Sequence, residues 1–495
     1  MNLSKLFKPT NWRLKAKRYS KEKNALKKRI KELEISRNNH KNKYNELKEK
    51  YNKLEEQKKE IETELKKTEF LPEKSKPKHH SYSLIMIQII LTITLRSNLK
   101  FRTLEKENKI RAEIIEAHNE SPSHVTIRNW TLKIGYYELT RPKDYANDWI
   151  IILDHSIQFG QQKIFVVLGI RKKDYLKLKR PLQYTDLETL QEVPMLRSNG
   201  ELIYERIKKL QEEIGIIIYA VGDYGSDLKK GLRLLNVPHI HDLSHLIART
   251  TEKIYKNDTR YIEFKKAMSL MRNKFAQTNI ASIVPPKGRK KSEYQSFDKI
   301  VKWSEMSLNL LNNTLKDTEK RKKLEKEFGG VVLTKIEKEL SWLIDYADLI
   351  NELSEISIAV KAIEKDMKHS GLSAITLKNA EVLLTKLESE NGSKLGKNLL
   401  LKLKEQFNLL LDEDIILCSS DILESTFGKY KNRVSENPMA SVTVLMLMIA
   451  AFTSNLTEDK IKESMENVKI SDIKEWEEKK IGTSLHKQRI LLLSG

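Results

Sequence analysis

Between residues 148 and 223 this chain carries three apolar runs, DWIIILD, KIFVVLGI and IIIYAVGD, and two of them close on an aspartate. The runs are short and rich in β-branched residues, which is the grammar of strands. The first two are separated by a polar stretch of hairpin length, HSIQFGQQ, and IIIYAVG is unbroken, as expected of a strand covered on both faces. LQYTDLETLQEV offers a third strand, GELIYERIKKLQEEIG and GSDLKKGLRLLN read as amphipathic helices, and VPHIHDLSHLIA reads as a short strand turning into a helix. Hairpin, helix, buried strand, helix and strand together predict a mixed sheet covered by helices. Only 17 Gly and 11 Pro in 495 residues predict that the remainder is mainly helical. The fold class is therefore α+β and multidomain.

The N-terminal region is a different object. Residues 1–80 hold 25 Lys/Arg against 12 Asp/Glu, about half of the net charge of +23. From Leu26 to Leu65 a seam advances in alternating steps of four and three through Ile30, Leu33, Tyr44, Leu47, Tyr51, Leu54 and Ile61. Arg37, His40 and Lys58 are its polar positions. A sustained heptad seam predicts a coiled-coil arm over 1–68 and a homo-oligomer, with a single solvated, ion-paired helix as the other reading.

The segment 69–81 contains LPEKSKPKHHS, whose two prolines mark a linker. Three helical stretches follow over 82–140, and the third opens with Ser-Pro-Ser capping chemistry and carries Thr126, Arg128, Asn129 and Lys133. A helix-turn-helix would offer that third helix to the major groove, and a plain three-helix bundle would fit the same pattern. The sheet region is placed at 145–250 and an all-helical segment at 251–412, broken by a basic loop with Lys287, Arg289, Lys290 and Lys291. Residues 413–455 return to the sheet region with DILESTFGKYKNR and the apolar run MASVTVLMLMIAAF, and 456–495 form a charged helical tail.

The chain has 91 Lys/Arg, 68 Asp/Glu and one cysteine, Cys418. The basic excess favours a polyanion such as double-stranded DNA, because each neutralised phosphate releases counterions. A single cysteine leaves no disulfide framework and points to a reducing compartment. No apolar run is long enough for a membrane span, so a cytoplasmic, nucleoid-associated protein without a membrane role is expected.

Asp154 and Asp223 each end an apolar strand, so in a mixed sheet with both strands central their carboxylates meet. Two such acids repel unless a cation sits between them. Divalent-ion chemistry on phosphodiesters calls for about three carboxylates, and Glu424, in a helical segment followed by Lys429, Lys431 and Arg433, is the candidate third.

The order of strand Asp, buried-strand Asp and late helical Glu resembles the DDE transposases and integrases. Glu424 and Lys431, with six residues between them, match the E-(6)-K spacing of many bacterial insertion-sequence transposases. The long helical segment before Glu424 is similar to the all-α insertion of several such groups. Asp242 and His245 stand where insertion-bearing transposases often have a Cys-(2)-His or Asp-(2)-His pair. The Tyr and Arg that precede the Glu in one large group are absent, since those positions are Leu417 and Ser420.

The resemblance implies a ribonuclease H-like catalytic domain interrupted by an all-helical insertion, two Mg²⁺ ions (or Mn²⁺) on Asp154, Asp223 and Glu424, and strand cleavage and strand transfer at transposon ends. It also implies DNA contact at Lys431. Asp227 is the alternative to Asp223, and His155 is expected as a neighbour of the acids. The competing functions are a non-catalytic or domesticated DNA-binding relative and a ribonuclease H-like nuclease.

Overall fold

The structure, a computed structural model, describes residues 12–68, 76–97, 99–114, 121–156, 158–287, 294, 297–434, 441–483 and 485–494. It divides into two units, Met1–Ser75 and Lys76–Gly495. In the first, α1 (Trp12–Thr68) is one helix of 57 residues, about 85 Å long at ~1.5 Å per residue. Leu26, Ile30, Leu33, Leu47 and Leu54 on its seam are all more than half exposed.

The second unit begins with α2 (Leu84–Arg96), α3 (Phe101–Ile114) and α4 (His124–Thr140). Ser83 and Ser123 cap α2 and α4, each side chain accepting an amide of the first turn. Three helices appear where three were expected, but they do not close a core alone. Ile127, Trp130 and Ile134 of α4 pack with Leu84, Ile87 and Leu91 of α2, and also with Met448 and Phe452 of α17 (Met448–Phe452) and Ile461 and Met465 of α18 (Glu458–Asn467). Gly135 lets α4 approach so closely that a Cβ there would lie 2.0 Å from the carbonyl oxygen of Leu447. The apolar run expected as one buried helix over 439–452 is a 3-10 turn, Val444–Leu447, followed by α17, while 439 and 440 lie outside the described residues. Its methionines, and those of α18, are buried against α4 instead of closing the sheet domain or leading into a solvated tail. Two further helices, α19 (Ile470–Lys480) and α20 (Leu485–Ser494), follow.

The sheet combines β1 (Ala146–His155), β2 (Lys163–Arg171), β3 (Glu188–Met195), β4 (Gly215–Gly222) and β5 (His239–His241) in the order β3-β2-β1-β4-β5. β1, β2 and β3 are antiparallel neighbours, whereas β1–β4 and β4–β5 are parallel. A one-turn helix, α5 (Lys172–Tyr175), follows β2. The crossovers are α6 (Gly200–Ile214) and α7 (Ser226–Leu234), and Gly215, at φ 97°, turns α6 straight into β4. Alternation along β1 sends Trp149, Ile151 and Leu153 to the face covered by α6 and α7, and Ile150 and Ile152 to the opposite face. This mixed sheet is compatible with a ribonuclease H-like domain.

After α8 (Leu243–Tyr255) the chain runs through α9 (Thr259–Phe275), α10 (Phe297–Asn309), α11 (Thr318–Phe328), α12 (Gly330–Leu340), α13 (Ala347–Ser370), α14 (Ala374–Thr385) and α15 (Glu390–Asn408). These helices share a continuous core with the Ile150 face of the sheet. The segment is as helical as the sequence predicts except for a two-residue strand, β6 (Leu372–Ser373), which pairs with β7 (Ile415–Ile416). That pairing brings the returning chain back beside the sheet, where α16 (Asp421–Arg433) packs against β1. Among the described residues no helix is long and apolar enough to cross a membrane.

Candidate active site

Register builds the first half of the site. Leu153 of β1 lies opposite Gly222 of β4, so the next residues, Asp154 and Asp223, leave neighbouring parallel strands side by side, about 5 Å apart by strand spacing. Burial first, and then the charge of Asp223, push the Asp154 carboxyl up to about 8. Its Oδ1 accepts the amide of His155 at 2.6 Å, which relieves part of that penalty. The Oδ1 of Asp223 is buried and makes no aligned hydrogen bond.

Glu424 arrives by a longer route. Asp242 closes β5: its amide donates to the Gly222 carbonyl at 3.0 Å. Its Oδ1 caps α8 through the His245 amide at 3.0 Å. Its Oδ2 accepts the amide of Ser420 at 2.7 Å and the Ser420 hydroxyl at 3.0 Å. Ser420 immediately precedes α16, so this one buried carboxylate ties the end of β4 to the start of the helix that bears Glu424. The Leu243 amide bonds the Cys418 carbonyl, and the Tyr219 hydroxyl accepts the Leu417 amide, which fixes the same crossing twice more. The Glu424 side chain stands half exposed beside the aspartates, and burial with neighbouring acids raises its pKa.

His245, one turn into α8, stands among the acids. Its Nδ1 lies 2.7 Å from Asp223, 3.2 Å from Asp242 and 3.9 Å from Glu424. Burial opposes its charge, but the carboxylates of Asp223 and Asp242 outweigh that and raise its pKa to about 10. Asp242 is held low by His245 and the Ser420 amide despite its own burial. His155 points elsewhere, with Nε2 3.0 Å from Asp227 and 3.2 Å from Ser198. Asp227 is thus occupied by His155, and the alternative to Asp223 is not needed.

The donor set suits a divalent cation. Carboxylate oxygens are the ligands a hard ion takes, the orphaned Oδ1 of Asp223 lacks a donor, and Asp154 is protonated more readily than an acid with a cation beside it would be. Among the described residues no three His, Cys, Asp or Glu side chains are gathered at ligand distance of one point. The imidazole of His245 stands between them.

The expected DNA-contact residues fare unevenly. Thr126, Arg128 and Asn129 are half-buried on α4. Lys133 departs from a groove-reading role: its ammonium donates to the Met465 carbonyl at 2.7 Å, because α18 covers that face of α4. Arg433 likewise donates to the carbonyls of Thr94, Ser97 and Leu99 at the end of α2 and is not left for a DNA backbone. Lys431 is half-buried two turns after Glu424, and Lys287 is exposed. Arg289, Lys290 and Lys291 lie outside the described residues. Trp303 and Trp342 pack as expected of core residues, Trp303 donating to the Ile283 carbonyl at 3.0 Å.

No protein-family model matches the chain, and no curated protein sequence does. Among solved structures it is similar to the Drosophila P element transposase strand transfer complex, at 10% identity and a TM-score of 0.36, over 76% of this chain and 92% of that one. A likeness of that size leaves function to be argued from this chain's own residues.

The Asp242–Ser420 clamp and the placement of His245 were not derivable from sequence. The only signal was the HDLSH string itself, which marks the pair without its partners.

Proposed function

We propose that this chain is a DDE-type DNA transposase of the insertion-sequence kind, which binds transposon ends and carries out strand cleavage and strand transfer with Asp154, Asp223 and Glu424. The observation that carries this reading is the meeting of three acids from separated segments at one end of the sheet, two of them on neighbouring strands with one carboxyl pushed up to about 8. The net charge of +23 supports a nucleic-acid partner.

Asp154, Asp223 and Glu424 would hold two divalent ions, Mg²⁺ or Mn²⁺, which when bound supply Lewis acidity at the phosphate and a deprotonated nucleophile. The chain's own contribution is positional. β1 and β4 fix the two aspartates, and Asp242 with Ser420 fixes the approach of Glu424. His245 balances the acids until the cations do so. The seam of α1 would pair protomers in a homo-oligomer.

A second reading, a non-catalytic DNA-binding relative, is favoured by that same imidazole, which neutralises the cluster with no ion. Cleavage of a labelled transposon-end duplex in Mg²⁺ decides between them. Asp154→Asn, Asp223→Asn and Glu424→Gln are each expected to lose activity by 10²-fold or more while retaining end binding. If all three cleave as well as the parent, the catalytic reading is wrong.

A further inference from the structure

On the far side of α16 from the acids lies a cavity of about 390 Å³, walled by α2, the segment 182–185, α16 and the segment 452–456. Its charge is one-sided. Arg96 and Lys429 line it and no carboxylate does. Neither cation forms an ion pair among the described residues. The Lys429 ammonium rests 3.7 Å from the centre of the Tyr184 ring and 5.3 Å from that of Phe452. Such a contact is worth only ~0.5–2 kcal/mol, so a phosphate would compete for that ammonium.

The remaining chemistry of the cavity is aromatic and neutral polar. Tyr184 and Phe452 present ring surface 6.3 Å apart, centre to centre, with Gln183 and Asn455 at the rim. Two unpaired cations, aromatic faces and amide groups match a nucleotide: anion, flat base and hydrogen-bonding edge. The volume is near the lower end of the ~300–1,000 Å³ of small-molecule sites, room for a single nucleotide unit and far too little for a base pair.

The cavity is also coupled to the acids. Tyr184 shares a hydrogen bond with Ser425, the residue after Glu424, and Lys429 sits on the same helix just over one turn further on.

We propose that this cavity receives one unpaired nucleotide of a DNA strand whose neighbouring phosphate lies at the three acids. The phosphate of that nucleotide is held by Arg96 and Lys429, and its base lies against Tyr184 and Phe452. Lys429 moves from the ring to the phosphate, and its flexible stem permits this. The site rests on the DNA-processing reading and adds to it that the protein distinguishes a frayed or tailed end from a blunt one.

Fluorescence anisotropy on the full chain tests this with two duplexes that differ only in a three-nucleotide unpaired extension, on the 3′ or the 5′ strand. The extension is expected to tighten binding about tenfold, the scale of one stacked base. Arg96→Ala, Lys429→Ala and Tyr184→Ala should bring the tailed duplex to the blunt value while blunt-duplex affinity stays within twofold and melting curves confirm folding. Tyr184→Phe keeps the ring and should keep most of the preference. An extension of abasic sugar phosphates should bind like the blunt end. Deoxynucleoside 5′-monophosphate at millimolar concentration should erode the preference.

Equal affinity for the two duplexes in the parent overturns the proposal and leaves the transposase reading standing, as does an abasic tail that works as well as a normal one. Variants that weaken both duplexes equally reduce these residues to general charge. Erosion by micromolar free nucleotide assigns the cavity to a soluble nucleotide and overturns the strand assignment. Failure of the parent to bind either duplex overturns the DNA reading itself.

Discussion

Oδ2 of Asp242 accepts both the amide and the hydroxyl of Ser420, joining residues 178 positions apart in the chain at a fully buried point. The clamp decides where Glu424 stands relative to Asp223, since Asp242 also holds the last carbonyl of β4. Asp242→Ala strips acceptors from two buried donors of Ser420 and from the α8 cap. It is expected to destabilise the fold by roughly 3–5 kcal/mol, the range for breaking a buried charged contact. Thermal melting should show a large downward shift. A shift under a degree would mean that Ser420 is held by something else.

Asp154 makes an opposite prediction. Burial and Asp223 both oppose its charge, so Asp154→Asn should melt a few degrees higher than the parent in chelator. Excess Mg²⁺ should then raise the melting temperature of the parent and not of the variant, because an ion that binds only the folded state stabilises it by mass action. A parent indifferent to Mg²⁺ and Mn²⁺ would remove the ion from this site without any reference to DNA.

Glu192 on β3 is 4% exposed, neither carboxyl oxygen has an aligned hydrogen bond, and burial raises its pKa well above the ordinary value. The sign follows from linkage. A raised folded-state pKa means the folded protein holds this proton more tightly than the unfolded chain. The stabilisation is complete below the unfolded pKa of about 4.3 and is lost, by about 1.4 kcal/mol per pH unit, as pH rises toward the folded value. Glu192→Gln should therefore flatten the decline of melting temperature on the alkaline side and melt higher than the parent at pH 8. Parallel pH profiles for the two proteins would show that Glu192 finds a partner.

The seam of α1 leaves Leu47 at 65% and Leu54 at 65% exposure in the single chain. If it pairs protomers, Leu47→Lys with Leu54→Lys should reduce the particle mass seen by light scattering toward one chain, and the parent should be a multiple of it. An unchanged mass would make α1 a solvated helix.

Much of this was legible in residues close together in sequence. The strands announced themselves because apolar runs with period two or no period cannot be helices of that length, and IIIYAVG predicted a strand between two neighbours, which β4 is. Asp154 and Asp223 could be paired on paper because both follow such runs. Glu424 could not be placed that way: its position depends on β6 meeting β7 and on Asp242 meeting Ser420, and neither leaves a periodic trace. Lys133 shows the other failure. On α4 alone it lies on a polar face, and only the arrival of Met465, 332 residues later, turns that face inward.

That late arrival bears on how the protein is made. α2, α3 and α4 leave the ribosome with Leu84, Ile87, Ile127 and Trp130 facing partners that are not yet synthesised, since α17 and α18 supply the rest of that core. At ~5–20 residues per second the wait lasts from roughly fifteen seconds to about a minute, far longer than helices take to form. During that interval the nascent chain exposes an adhesive apolar surface, which makes it a natural client for a ribosome-associated chaperone.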